Sequence, residues 1–529
     1  MNKSLAFGGT VPSRLGALLL VSTLCAAARA SGQCPDGSPP PCHAATARVP
    51  AAAKRGVAVL YFENLSGDST YAYLADGLTE ELILKLGNVS KLDVRSRFAV
   101  RRYKNQPPAD LQAAARVLNV AYLVTGSVRP GRDRVRVTVE VVRANSGARV
   151  WGGELDRPST DLLAVTDDVA REVAQGIVGQ LVPAEAAALA VPATASPEAY
   201  EHFLRGNFAM ALRSPQAVLR ALDEYQTALR LDPAYTAALA RTAYGYAILL
   251  AWGWQHPTLP AESVLARGAA DAARALRRDS TSSDAWMAQG IVLWFLEPRT
   301  LRGSLAAHER SVALDPENAE AWQLLGAVNL FLGRFAAADT ALRRALAVEP
   351  GRPVSLERLA ELYWLRKDPA HAMRLLDTLI TLTPGFYSAY ADRVLLLLQA
   401  GDTAAAAREA ELCARLGPDD FVMTRATLAM VQAAEGDTNR ARRGMDSVMS
   451  RIDGPNGVGA GWMQYVLPPF LFLGDTTRAL EIVEGSRPRG PFLWWGLNWP
   501  TLDPIRQSPR FQRVVQESQA PAVAPVKNK

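Results

Sequence analysis

Pro316, Pro350, Pro384 and Pro418 stand 34 residues apart, and Ala338, Ala372 and Ala406 keep the same spacing. A fixed period of this length means a stack of supersecondary units, none of which can bury its apolar face alone. The fullest copy reads Trp322, Leu325, Gly326, Ala338, Leu342, Ala345 and Pro350. Small residues at the Gly and Ala positions let two helices approach closely, large ones fill the gap between them, and the proline marks the turn to the next unit. Neighbouring copies keep the register through Trp286, Gly290 and Pro316, then Leu359, Ala360, Tyr363 and Pro384, then Tyr390 and Pro418. Looser copies flank them, one interrupted around Trp252 to Pro260. Seven or eight helix pairs are expected over residues 197–485. With 49% hydrophobic residues among 529, the chain can bury a large core, which excludes a disordered tail, a collagen-like fibre and a small disulfide scaffold.

Upstream the period disappears and the pattern becomes β-α-β-α-β-β-β-α. Val57 to Phe62 is a continuous apolar run, as in a strand buried on both faces. Leu74, Leu78, Leu82 and Leu86 follow on a helix, Lys91 to Arg95 suggests a second strand, and Asp110 falls in the first turn of a second helix ending near Leu118. Ala121 to Arg129, Arg134 to Val141 and Ala148 to Leu155 read as three strands joined by tight turns, with a closing helix from Thr160. The fold class expected is an α+β amino-terminal domain, a sheet layered with helices, over residues 55–182. A Pro/Ala-rich linker (183–196) then leads to an all-α superhelical solenoid.

The periodic copies carry the tetratricopeptide signature of W, L, G, A, a large apolar residue, A and P. The earlier blocks Val57 to Leu60, Phe62 to Asp68, Ala75 to Leu82, Gly126-Ser127-Val128 and Gly147 to Trp151 resemble the bacterial TolB amino-terminal-domain-like family. In that family the module often sits between an output domain and tetratricopeptide repeats. Here a leader stands where the output domain would be, so the resemblance implies an interaction module without an enzymatic partner.

Residues 1–30 read as a secretory signal peptide: Lys3 and Arg14, an apolar run to Ala28, then Ala28-Arg29-Ala30. The run is too short to span a bilayer, and neither Cys25 nor Cys34 follows a lipoprotein pattern. Cleavage removes three basic residues and no acid, halving the net charge of +6, and leaves a periplasmic or secreted chain with no transmembrane anchor. In an oxidising compartment Cys34 and Cys42 are expected to pair across a Pro/Ala-rich tether (31–54), the alternative being two free thiols. Cys413 reads as a buried thiol in a helix.

Function in a repeat array lives on the concave face. In this register that face holds Gln323, Leu330, Glu357, Glu361, Trp364, Leu395, Leu398 and Arg425, a mixture of apolar and acidic groups suited to an extended or helical protein or peptide segment. Lys91, Arg95, Arg97, Arg101, Arg102 and Lys104 stand against Asp93 alone and make a basic patch. It reads as a solvated loop or as a contact for an anionic envelope surface, since export disfavours nucleic acid. Glu80 and Glu81 point about 100° apart on one helix and cannot share a substrate.

Residues 486–529 read as an aromatic cap (Phe492, Trp494, Trp495, Trp499) over the last helix pair, followed by a disordered tail. The five histidines are scattered, and the chain has no P-loop, nucleophile elbow or kinase signature. The expectation is an exported, non-enzymatic interaction scaffold with no cofactor and no metal. The alternative is a sensor whose α+β unit holds a small molecule and whose repeats relay it.

Overall fold

The computed structural model describes residues 55–104, 107–158, 161–190, 193–417, 422–452 and 462–519. The signal peptide, the tether with Cys34 and Cys42, and the tail from 520 lie outside the described residues.

The alternating run Arg134–Arg143 forms β5, with Val135, Val137, Val139 and Val141 turned inward and fully buried. It pairs antiparallel with β4 (Tyr122–Pro130) and β6 (Arg149–Pro158), while β1 (Arg55–Val59) lies parallel to β4 and to β3 (Leu92–Val94). The order is β3-β1-β4-β5-β6, a mixed sheet with β1 buried on both faces as its apolar run requires. A two-residue strand, β2 (Glu63–Asn64), pairs with β4 where a turn was expected. Asp110 accepts from the backbone N–H groups of Gln112 and Ala113, so it is the N-cap of its helix rather than a first-turn residue.

Helices α1 (Ala72–Gly87) and α4 (Leu162–Val178) cover one face of the sheet. Between them come α2 (Arg97–Val100) and α3 (Leu111–Leu118). Lys85 of α1 reaches Asp167 of α4 at 2.8 Å, a pair almost closed to solvent. The segment expected to be a linker contains a helix, α5 (Pro183–Leu189). Proline at its first turn, four alanines, and Glu185 accepting from the Val182 N–H at 3.2 Å and from Ser90 at 2.5 Å explain why.

Eight antiparallel helix pairs follow among the described residues: α6 (Pro197–Met210) with α7 (Pro215–Leu231), α8 (Thr236–Ala251) with α9 (Ala261–Arg278), α10 (Ser283–Leu296) with α11 (Arg302–Leu314), and α12 (Ala319–Phe331) with α13 (Phe335–Val348). Then come α14 (Pro353–Leu365) with α15 (Pro369–Leu382), α16 (Tyr387–Gln399) with α17 (Thr403–Leu416), α18 (Val422–Ala434) with α19 (Thr438–Ile452), and α20 (Met463–Phe472) with α21 (Thr476–Gly485). The fold is therefore a small mixed sheet followed by a tetratricopeptide-like solenoid.

The signature residues show their reasons. A Cβ on Gly326 would stand 2.6 Å from the Leu342 side chain, so glycine there sets the α12–α13 approach. The first aromatic of three repeats ties its helix to the preceding turn: the indoles of Trp286 and Trp322 and the hydroxyl of Tyr390 each donate to the carbonyl six residues earlier, at 2.8–2.9 Å.

The sheet and the repeats share one continuous core. Helix α1 lies between the sheet and α6, and for that reason it is buried nearly all round, with Gly77 against Leu204. At the rim of this seam the Tyr73 hydroxyl donates to Glu201 at 2.5 Å and Arg205 completes the triangle.

Candidate functional site: a closed chamber on the concave face

Seven of the eight residues expected to line an open groove are buried: Gln323, Leu330, Glu357, Glu361, Trp364, Leu395 and Leu398. Arg425 is half-buried. They are covered from two directions.

On one side the α+β unit closes over the repeats. Of the expected basic patch, Arg101 meets Glu349 at 3.4 Å and Ser96 reaches the Val348 carbonyl, both at the junction of α13 and α14. Arg97 pairs with Glu80 at 2.9 Å and Lys104 with Asp76 at 2.5 Å. Arg95 donates to the carbonyls of Leu118 and Asn119, and Lys91 to that of Gln180. Arg102 lies outside the described side chains. Among the described side chains these cations are all engaged within the chain, with Lys91 and Arg101 each keeping 45% of the side chain exposed.

Beneath this contact lies a buried ionic network. Glu320 receives Arg213, Arg352 at 2.9 Å, Arg241 at 3.4 Å and the Tyr244 hydroxyl at 2.5 Å. Arg352 also holds Glu349, and Arg241 holds Asp284 at 3.1 Å. Burial alone would raise the Glu320 carboxyl; the surrounding guanidiniums of Arg213, Arg352 and Arg241 instead hold it well below the usual carboxylate range.

On the other side the carboxyl-terminal segment folds back. Helix α22 (Pro491–Leu497) and the 3-10 turns of Pro500–Ile505 run along α12, α14 and α20. Phe492 and Trp495 pack on Phe331 at 4.7 and 5.1 Å, and Trp499 packs on Trp364 at 4.9 Å. Only α23 (Pro509–Ser518) serves as the cap expected over the last pair, with Arg510 held by Glu484 of α21 at 2.6 Å. The aromatic residues ahead of it fill the groove.

Between the repeats and the carboxyl-terminal segment is a cavity of about 310 Å³. Its walls are aromatic, including Trp252, Trp294, Phe331, Trp462, Phe492 and Trp495. Gln323, Glu357 and Glu361 are the expected groove residues that reach it, together with Arg213, Arg358, Gln464 and Tyr465. Arg358 donates to both oxygens of Glu361 at 2.6 Å and lies over the Trp495 ring. Glu357 accepts from Ser388, and Asp392, behind Tyr465, accepts from its hydroxyl at 2.5 Å. Burial pushes all three carboxyls up, Glu361 to about 7, while the Arg358 guanidinium pulls each of them back.

Glu320, Arg352, Arg213 and Arg241 were missed in the sequence. The available signal was a charged residue inside the apolar run of a repeat's first helix, as in Ala319-Glu320-Ala321-Trp322. The polar residues of β2 and the turn after it do local work: Asn64 accepts from Ser66, and Asp68 caps the turn at Ser69–Tyr71. Among the described residues no group of three or more His, Cys, Asp or Glu side chains is placed to hold a metal ion, and no helix is long and apolar enough to cross a membrane.

Comparison with known proteins bears on this arrangement. Residues 319–352 match the tetratricopeptide repeat model. This chain carries tetratricopeptide repeats. It is 33% identical over 188 residues to "Putative adenylate cyclase 3" of Rhizobium meliloti, a stretch that covers 36% of this chain and 32% of that relative. The chain therefore spans about a third of the curated relative's length. Solved structures it resembles include a tetratricopeptide repeat protein from Parabacteroides merdae, at 16% identity and TM-score 0.34 over 48% of this chain and 93% of that one. Yeast Tom70 gives 13% identity and TM-score 0.37 over 60% and 68% of the two chains.

The expectation that the chain is not an enzyme is overturned by the curated relative, which is named for an adenylate cyclase. That expectation rested on missing motifs, and a motif search reads only the few active sites whose residues lie at fixed short spacing.

Proposed function

We propose that this protein is an exported interaction scaffold whose concave face binds a helical or extended segment of a partner protein. Gln323, Leu330, Glu357, Glu361, Trp364, Leu395, Leu398 and Arg425 supply the contact surface in this reading. One observation carries it: the groove already holds such a segment, the chain's own residues 491–499, seated by Phe492, Trp495 and Trp499. A surface complementary to an internal aromatic helix is suited to an external one of the same character. The α+β unit, with its TolB-like blocks, acts as a second docking surface through the parts that do not face the repeats. In this reading residues 1–30 are a leader, Cys34 and Cys42 pair, and the scaffold works in an oxidising envelope compartment.

The test is affinity purification with crosslinking from the native envelope, comparing the wild-type chain with Trp499→Ala. Loosening the internal segment should raise the recovery of the partner. Equal recovery from both would remove the groove from the reading.

A second reading follows from the curated relative: adenylate cyclase activity, residing in this chain or requiring a second one. Cyclic AMP formation from ATP by the purified protein, alone and with its crosslinked partners, tests it directly.

A further inference from the structure

The chamber has an imbalance that its own side chains do not correct. Every guanidinium on its wall is engaged: Arg213 by Glu320 and Tyr244, Arg358 by both oxygens of Glu361, and Arg487 by the carbonyls of Glu484 and Ser486. The acceptors are not. Glu357 Oε2 has no hydrogen-bond partner among the described residues, its nearest cation being Arg358 Nη2 at 4.0 Å, and Gln464 Oε1 has none either. Both residues are at least nine-tenths buried, 3% and 2% exposed, and both line the cavity. A buried acceptor left without a donor is costly, so two of them beside one space mark a place for a donor from outside.

The walls define what that donor is attached to. At about 310 Å³ the cavity falls at the lower end of small-molecule sites, and its lining is mainly apolar, with indole and phenyl rings among aliphatic side chains. These rings already solvate one cation, since the Arg358 guanidinium lies 5.6 Å from the centre of the Trp495 ring. Two carboxyls, Glu357 and Glu361, stand beside that guanidinium, and Glu357 Oε2 is the carboxyl oxygen that no donor reaches. A carboxyl oxygen and an amide oxygen without donors, next to aromatic faces, favour a ligand with a positive, donor-rich head.

We propose that the chamber is a binding site for a small organic cation, an amine with an apolar or aromatic body, whose charged head lies against Glu357 and Gln464. Its body packs among Trp294, Phe331, Phe492 and Trp495. Trp294 and Trp495 each carry a buried indole N–H without an acceptor among the described residues, so a ligand bearing a hydroxyl or carbonyl on its body is held more tightly than one without. The site lies in the solenoid, between the repeats and the carboxyl-terminal segment, rather than in the α+β unit. Phe492 and Trp495 of the internal helix form part of its wall, so the ligand is held with that helix in place.

Titration calorimetry and thermal unfolding of the full chain with phenethylammonium test this, against phenylacetate and 2-phenylethanol, which keep the ring and chain length and change only the head. The amine is expected to bind saturably and raise the melting temperature, with the acid and the alcohol at least about tenfold weaker. Glu357→Gln, which keeps the shape and removes the charge, should weaken the amine about tenfold and leave the alcohol unchanged. Equal binding of acid and amine overturns the proposal, as does absence of saturable amine binding at millimolar concentration. If Glu357→Gln does not fold, the ranking of the three probes on the wild-type chain decides.

Discussion

Trp364 and Trp499 meet edge to face at 4.9 Å, with ring planes 79° apart and 2% or less of either residue exposed. Trp364 comes from the first helix of a central repeat and donates its indole N–H to Gln399 at 2.7 Å. Trp499 comes from the carboxyl-terminal segment, so this contact fastens the end of the chain into the middle of the solenoid. Replacing Trp499 by Ala should cost about 3–5 kcal/mol, the range for a buried tryptophan. Urea unfolding measures the loss, and limited proteolysis should cut the variant first within residues 486–519. A loss below about 1 kcal/mol would mean that the segment is held elsewhere.

What the sequence made legible follows from how local each signal is. Gly326, Leu342 and Pro350 act within one helix pair, so their spacing is enough to read the repeat. Val135 to Val141 likewise announce a half-buried strand by alternation alone. The α5 helix was hidden because Pro183 and Pro197 bracket an alanine run that also suits a linker. The aromatic run at 492–499 was legible as buried but not as to where, since Phe331 and Trp364 are distant in the chain. The basic stretch failed for the same reason: Arg101 looks free until the fold brings Glu349 to it.

Glu320 is the carboxylate that Arg213, Arg241 and Arg352 share. Glu320→Gln keeps the volume and leaves buried Arg213 without a carboxylate, so a loss of about 3–5 kcal/mol is expected at neutral pH. Because its folded value is depressed, the wild-type contribution is present above the ordinary carboxylate range and is lost as pH falls through it. The gap between wild type and variant, measured by thermal unfolding, should therefore shrink in acid. A gap that stays constant with pH would refute the assignment.

His308 sits where other repeats have leucine, under Gly290, where an added Cβ would stand 2.5 Å from the imidazole. The ring is wholly buried with no partner on either nitrogen among the described residues, and burial alone pushes it down to about 3. Below the unfolded value of about 6.5 the unfolded chain takes up a proton that the folded chain refuses, so stability falls as pH drops from about 6.5 toward 3. The slope is about 1.4 kcal/mol per pH unit. His308→Leu should abolish this slope without loss of stability at pH 7. Gly290→Ala should cost about 1–3 kcal/mol through the same contact.

Glu361 titrates in the opposite sense. Burial raises it to about 7 in the folded chain, against an ordinary value near 4.5, with Arg358 pulling it back and Glu357 adding to the rise. The folded chain therefore keeps a proton that the unfolded chain has released. Its contribution is whole below about pH 4.5 and is lost as pH rises to about 7, the reverse of His308. Glu361→Gln holds the neutral form at every pH while Arg358 keeps one acceptor. Between about pH 5 and pH 8 the melting temperature of the wild type should fall, and that of the variant should stay flatter and exceed it at the alkaline end. A parallel fall in both proteins would show that the carboxylate is stably paired with Arg358 and that the rise belongs to Glu357 and Asp392.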